Sequence, residues 1–200
     1  MHKIIFTDLD GTLTLKDTYT KFLFRHISLN RIVLNIHILV KVFILYLFGR
    51  KDGNDVKRET FKVFFAKKNI KELNQDIGSF IHSISWNNPV LDLIKKEQFK
   101  NGTKVIIVTA SPNIYIKDIC DYLDYDGYIS TSVELENDIL TGRIIGKVCN
   151  FDEKVRKIKN FLNGKDCYKI SYGNSKGDYA MLNYCDKSYF VKKNTISNFK

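Results

Sequence analysis

Asp8 and Asp10 stand one residue apart, just after the apolar run Ile4-Ile5-Phe6 and just before Gly11 and Thr12. Two carboxylates at that spacing can divide a phosphoryl transfer, one attacking phosphorus and the other managing the leaving group's proton. Gly11 permits a tight turn and Thr12 adds a hydroxyl. Three other stretches have the same character. The run Val105-Ile-Ile-Val108 leads into Thr109, Ala110 and Ser111, and the run through Ile170 and Tyr172 leads into Gly173, Asn174 and Asp178. Lys154 falls in the first turn of the amphipathic segment Phe151–Leu162. A lysine there opposes the helix dipole unless it faces an anion.

These residues need a scaffold that brings strand ends together. Ile4 to Phe6 and Val105 to Val108 barely alternate, as expected of strands covered on both faces in a parallel sheet. Open α/β sheets place their ligands beyond the carboxyl ends of such strands. Between the first two strands the pattern is helical. Asp17 or Thr18 caps a helix carrying Tyr19, Phe22, Leu23 and Ile27, and a second helix runs from Asn30 to Phe48. Helices over Asp55–Lys67 and Ile70–Ile84 follow. Pro89 opens a helix that Asn101-Gly102 ends, and Ser111 caps or nearly caps the next, Asn113–Leu123. Tyr128–Ser130 reads as a strand, and Val133–Ile145 as a hairpin about Asn137-Asp138. Asp152 caps the Phe151–Leu162 helix, and a strand at Ser188–Val191 ends the sheet.

Asp8-Leu-Asp-Gly-Thr12 resembles the first signature of the haloacid dehalogenase superfamily, Asp-x-Asp-Gly-Thr, at every defined position. Thr109, Lys154 and the Gly173–Asp178 stretch follow in the order of its later signatures. The resemblance implies an α/β fold: a Rossmann-like parallel sheet with an inserted all-helical cap. The core is then residues 1–14 and 86–200, and the cap residues 15–85. It implies a Mg²⁺-dependent phosphomonoester hydrolase with Asp8 as nucleophile and Asp10 as acid and base. Thr109, Ala110 and Ser111 hold the phosphoryl oxygens, with Thr109 preferred to Ser111, and Lys154, with Lys147 as competitor, neutralises them. Mg²⁺ is held by Asp8, the Asp10 carbonyl, Asn174 and Asp178, the last as ligand or supporting residue. The family most often carries aspartate where Asn174 stands, so weaker metal binding is expected.

A cap after the first strand is similar to the phosphoserine phosphatase branch. Phosphoserine recognition there uses a cap acid and a cap arginine. Here Asp17 is the nearest acid, and Phe61 aligns with the arginine while Arg58 lies close by. The apolar, basic-flanked cap is more similar to the phosphatidylglycerophosphate phosphatases of the branch. Three readings follow: a lipid-phosphate phosphatase at the membrane surface, a soluble metabolite phosphatase, or a weakly active phosphate-binding scaffold.

The totals narrow these readings. With 200 residues, 44% of them apolar, the chain can bury one substantial core and a subdomain. Four scattered cysteines, with no zinc-ligand spacing, suit a reducing cytoplasmic setting. Residues 15–85 hold 13 Lys and Arg against 6 Asp and Glu, most of the +10 net charge. A localised excess points to a phosphorylated ligand or an anionic membrane face, and no nucleic-acid motif accompanies it. From Ile32 to Phe48 only Asn35, His37 and Lys41 are polar. Such a helix is buried, pairs in a homodimer, makes peripheral contact with the inner face of a membrane, or spans the bilayer, for which it is at the lower limit of length and Lys41 makes crossing costly.

Overall fold

The computed structural model describes residues 2–193 and 195–199, apart from the side chains of residues 100 and 101. The outer limits expected for the core, residues 1 and 200, lie outside the described residues. In chain order the elements begin with β1 (Lys3–Thr7), α1 (Thr18–Arg25), α2 (Leu29–Leu47), α3 (Gly53–Phe65), α4 (Ile70–Asn74), α5 (Ile77–His82) and α6 (Asn88–Asn101). They continue with β2 (Lys104–Pro112), α7 (Asn113–Tyr122), β3 (Gly127–Thr131), β4 (Val133–Glu136), β5 (Ile139–Ile144) and α8 (Asp152–Leu162). The last are β6 (Tyr168–Gly173), α9 (Tyr179–Tyr184), β7 (Lys187–Lys192) and β8 (Thr195–Asn198).

Six strands form one sheet in the order β3-β2-β1-β6-β7-β8, parallel except for β8. β1 lies at the centre, with Ile5 opposite Val105 on one side and Ile170 on the other. Side chains of a strand alternate between faces, so the run of apolar residues feeds two cores. Ile5, Val105, Ile107 and Ile170 join α6 and α7 on one face, while Phe6, Ile106 and Val108 meet Ile158, Leu162 and Met181 on the other. β8 extends the sheet beyond the strand expected to close it. That short edge strand is mostly exposed and carries little apolar signal.

Helices α1 to α5 form the segment inserted between β1 and α6. Its two ends run side by side, with Leu15 N–H donating to Ser85 O at 2.8 Å and Asn87 N–H to Leu13 O at 2.8 Å. Phe22, Phe61, Phe65 and Phe80 fill its interior, and Phe22 packs on Tyr115 of α7 with ring centres 4.7 Å apart. This cluster seats the insertion on the sheet. The β4–β5 hairpin grips α3 from the other side. Gly142, at φ +84°, lies so close that a Cβ would meet Ala66 Cβ at 2.8 Å.

Three local expectations change. Ile70–Ile84 is two short helices, because Asp76 between them turns to Arg25 and Ser79. Phe151, at φ +48°, occupies the cap position of α8, and Asp152 lies inside the first turn. The Phe151 N–H donates to Gly177 O at 2.9 Å, so a tertiary bond sets this helix start. Pro112 occupies the cap position of α7, and no side chain caps that helix.

Candidate active site

Asp8, at the carboxyl end of β1, is buried among strand ends, and its N–H donates to Tyr172 O at 2.9 Å. Lys154, only 1% exposed, reaches it from the first turn of α8. Its ammonium spends its three protons on Asp8 Oδ1 at 2.6 Å, Asp178 Oδ1 at 2.7 Å and Val108 O at 2.7 Å. The anions the dipole argument asked of this lysine are therefore two carboxylates. Burial alone would lower Lys154's pKa, but Asp178 and Asp8 outweigh it and raise it. Lys147 is exposed and, among the described residues, makes no such bridge.

Asp178 is committed on both oxygens. Its Oδ2 accepts from Asn174 N–H at 3.1 Å, Ser175 N–H at 3.0 Å and Ser175 Oγ at 2.8 Å. Burial would raise this carboxyl, and the Lys154 charge with these bonds holds it below the usual range. Gly173 makes the approach feasible, since a Cβ there would sit 2.6 Å from Asp178 Cβ.

Asp10 is held differently. Its Oδ1 accepts from both Thr18 N–H and Thr18 Oγ1 at 2.6 Å, and its Oδ2 accepts from Ser111 Oγ at 2.7 Å. Tyr115 OH stands 3.2 Å from the Thr18 hydroxyl. Desolvation and the Asp17 charge raise the Asp10 pKa against the pull of the Thr18 and Ser111 bonds. Asp8 is pushed up to about 7 by burial and by Asp178, against Lys154. Both carboxyls thus share the strand-end loop with different partners, Asp8 on an ammonium and the Thr12 hydroxyl, Asp10 on Thr18 and Ser111.

Thr109 is buried, and its Oγ1 accepts the Ser111 N–H at 3.1 Å, which shapes the turn after β2. Ser111 does not cap α7, because its hydroxyl turns to Asp10. Thr12 is fully buried and donates to Asp8 Oδ2 at 3.2 Å. That oxygen is the less committed one of Asp8. Asn174 covers Gly11, whose φ of +82° and bare Cα are both needed: a Cβ would lie 2.0 Å from Asn174 Nδ2.

This donor set fits a hard divalent cation, though sparingly. Among the described residues no three His, Cys, Asp or Glu side chains converge on one point. Asp8 Oδ2 accepts from Thr12 alone among the described residues, and Asn174 lies over the neighbouring Gly11, whereas Asp178 is turned to Lys154 and the loop. Asp8 and Asp178 share the buried Lys154 ammonium, and Asp10, held by hydroxyls, stands in the same strand-end loop as Asp8, a concentration of acidic groups that a cation would suit.

Sequence reasoning missed two contributors. Thr18 was legible only as a cap candidate, yet Asp17 caps α1 through Thr20 N–H at 2.5 Å and Thr18 serves Asp10. Lys57 of α3 crosses from the insertion to the strand ends, its Nζ donating to Ala110 O at 3.2 Å and lying 5.0 Å from the Tyr19 ring centre. Burial lowers its pKa, and Asp10, Asp17 and Asp8 oppose that shift, so it lies within their field. Nothing local in the sequence marks it among its neighbouring lysines.

The model of the haloacid dehalogenase-like hydrolases matches residues 5–183. Protein CicA of Caulobacter vibrioides is 27% identical over 186 residues, 90% of this chain and 82% of that protein. A protein of unknown function from Bordetella pertussis Tohama I shares the fold with a TM-score of 0.79 at 19% identity, covering 94% of this chain and 89% of its own. Substrate-bound phosphoserine phosphatase superposes with a TM-score of 0.66 at 16% identity, over 94% of this chain and 85% of its own.

Proposed function

The chain belongs to the haloacid dehalogenase-like hydrolases, and from that premise we propose that it is a phosphomonoesterase working through an aspartyl-phosphate on Asp8. The observation that carries this is the buried Lys154 bridge between Asp8 and Asp178, beside an Asp10 held by Thr18 and Ser111. In this reading Asp8 Oδ2 attacks phosphorus, and Asp10 gives a proton to the departing ester oxygen. The same Asp10 then takes a proton from the water that cleaves the acyl-phosphate. Its upward-shifted pKa suits a proton donor. Lys154 steadies the nucleophile and balances charge on the phosphoryl oxygens, with the Thr109, Ala110 and Ser111 turn as their cradle. Mg²⁺ would rest on Asp8, the Asp10 carbonyl and Asn174, with Asp178 orienting Lys154 and the loop. Bound there, it supplies positive charge beside the transferring phosphoryl group.

We take residues 15–85 as the cap and the remainder as the core. Phosphoserine is a poor fit, because Asp17 is spent on its helix cap, Phe61 is fully buried, and Arg58 donates to Ile144 O and Gly146 O. The exposed apolar face of α2 favours a phosphorylated lipid over a water-soluble metabolite as substrate. Four free buried cysteines suit a cytoplasmic enzyme working against the inner face of the membrane. Asn174, which brings no charge to the metal, favours the second reading, a weakly active phosphate-binding scaffold. Release of phosphate from an aryl phosphate with Mg²⁺, absent in Asp8→Asn, supports the enzyme. A screen of lipid, sugar, nucleotide and amino-acid phosphates then ranks the substrate class. An inert parent at every Mg²⁺ concentration leaves the scaffold.

A further inference from the structure

We infer that the outer face of α2 is an in-plane docking surface for an anionic lipid bilayer; this deepens the lipid-phosphate reading and rests on it only for its purpose. Leu29, Val33, Ile36, Val40, Phe43 and Leu47 recur at intervals of three and four residues, so they form one stripe along the helix. All are exposed, from 48% at Val40 to 76% at Leu29, and Phe48, just past the helix end, is 77% exposed. A 19-residue helix is about 28 Å long. An apolar stripe of that length on a folded protein marks a surface that something covers.

Charge identifies the occupant. Residues 18–51 contain no Asp or Glu and six Lys or Arg: Lys21, Arg25, Arg31, Lys41, Arg50 and Lys51. Asp76 and Glu59 neutralise Arg25 and Lys51. Arg31 is turned to the carbonyls of Phe64 and Ala66 on the α3 side, so the charge offered beside the stripe is that of Lys41 and Arg50. Lys41 and Arg50 are exposed at the middle and the end of the stripe. A second copy packed here would bring lysine and arginine against lysine and arginine with no acid in the segment to answer them. An anionic headgroup layer answers them directly, while long basic side chains beside an apolar stripe suit the interface.

Packing fixes the orientation. Leu29–Leu47 is long and apolar enough to cross a bilayer, with a mean hydropathy of 1.6. Its other face is already occupied: Val42 is buried, Ile32, Ile38 and Leu39 pack on the hydrophobic core, and Arg31 is tied to the end of α3. Crossing would strip these contacts, so the helix lies along the surface with its stripe in the acyl boundary. α3 then stands between the membrane and the strand ends, where its Lys57 touches Ala110.

Cosedimentation of the Asp8→Asn chain with vesicles tests this without any turnover. The expected result is binding to mixed phosphatidylglycerol and phosphatidylcholine vesicles, weaker binding to pure phosphatidylcholine, and loss with added salt. Val33→Ser with Phe43→Ser should lower vesicle affinity at least tenfold. The parent chain with those two changes should keep its circular dichroism and its rate on a soluble aryl phosphate. Should that pair fail to fold, Lys41→Glu with Arg50→Glu serves instead, with an expected loss of about fivefold per charge removed. Binding that survives either folded pair unchanged overturns the proposal. So does absence of binding at low salt, and a dimer dispersed by the serine pair would identify a second copy as the occupant. Vesicle binding by a chain that hydrolyses no phosphate ester would leave the surface standing and remove only the phosphatase reading.

Discussion

Lys154 and Phe48 invert the ordinary rule of burial in opposite directions. The lysine is 1% exposed and the phenylalanine 77%. At the strand ends the fold takes a charged side chain out of water and answers it with two carboxylates and a carbonyl. Along α2 it leaves large apolar side chains in water and answers them with nothing from the chain itself. Each inversion costs stability unless something repays it, internally at Lys154 and externally at α2. At these two places burial departs from hydropathy in opposite senses, and the same contrast orders the predictions.

The largest effect is expected at the internal site. Asp8→Asn removes the attacking oxygen at nearly constant volume, and should lower turnover of an aryl phosphate by roughly 10⁴-fold or more. A pure sample that retains its rate would take Asp8 out of the role. Lys154→Met comes next and should damage fold and rate together. It leaves Asp8 and Asp178 buried without a cation, and breaking a buried pair costs about 3–5 kcal/mol. Urea unfolding reads that loss, and a midpoint equal to the parent's would show that the bridge contributes nothing to the fold.

How far this contrast could be read in the sequence depends on where the deciding partner lies. Asp8, Asp10, Thr109 and Lys154 announce themselves because each sits where a strand or helix begins or ends, and local patterns mark such junctions. The parallel core was equally legible, since Ile5 and Phe6 must feed opposite faces. Thr18 and Lys57 were not, because their roles come from Asp10 and Ala110, which only the tertiary fold brings near. The break at Asp76 and the strained start at Phe151 were hidden for the same reason: Arg25 and Gly177 impose them from elsewhere in the chain. At α2 the apolarity was plain, but its burial was not. The flanking basic residues looked like one charged bracket, whereas Arg25 and Lys51 are paired internally.

An intermediate effect sharpens the internal half of the comparison. Asn174→Asp would place a carboxylate over Gly11, where the cation is proposed to rest. A charged oxygen should lower the Mg²⁺ concentration for half-maximal activity about tenfold, while metal-free protein loses some stability to added repulsion with Asp8. An unchanged half-saturating concentration would mean that position 174 does not touch the metal.

The smallest expected effect is the most discriminating between the two regions. Phe61 and Phe43 are the same residue type on the neighbouring helices α3 and α2, yet Phe61 is fully buried in the aromatic cluster and Phe43 is 59% exposed. If α2's stripe were part of the protein's own core, truncating either ring would leave a cavity. The geometry denies that for Phe43. Phe61→Ala should therefore cost about 3–5 kcal/mol in denaturant unfolding, as a core phenylalanine does. Phe43→Ser should stay within about 0.5 kcal/mol of the parent, the range of an ordinary surface change. Both measurements are made without lipid, so they ask only what the folded chain itself uses. A cost near that of Phe61 at position 43 would mean that the stripe of α2 is covered in solution by another copy or by another part of this chain. Equality with the parent leaves the stripe free, and its apolar area available to a partner outside the chain.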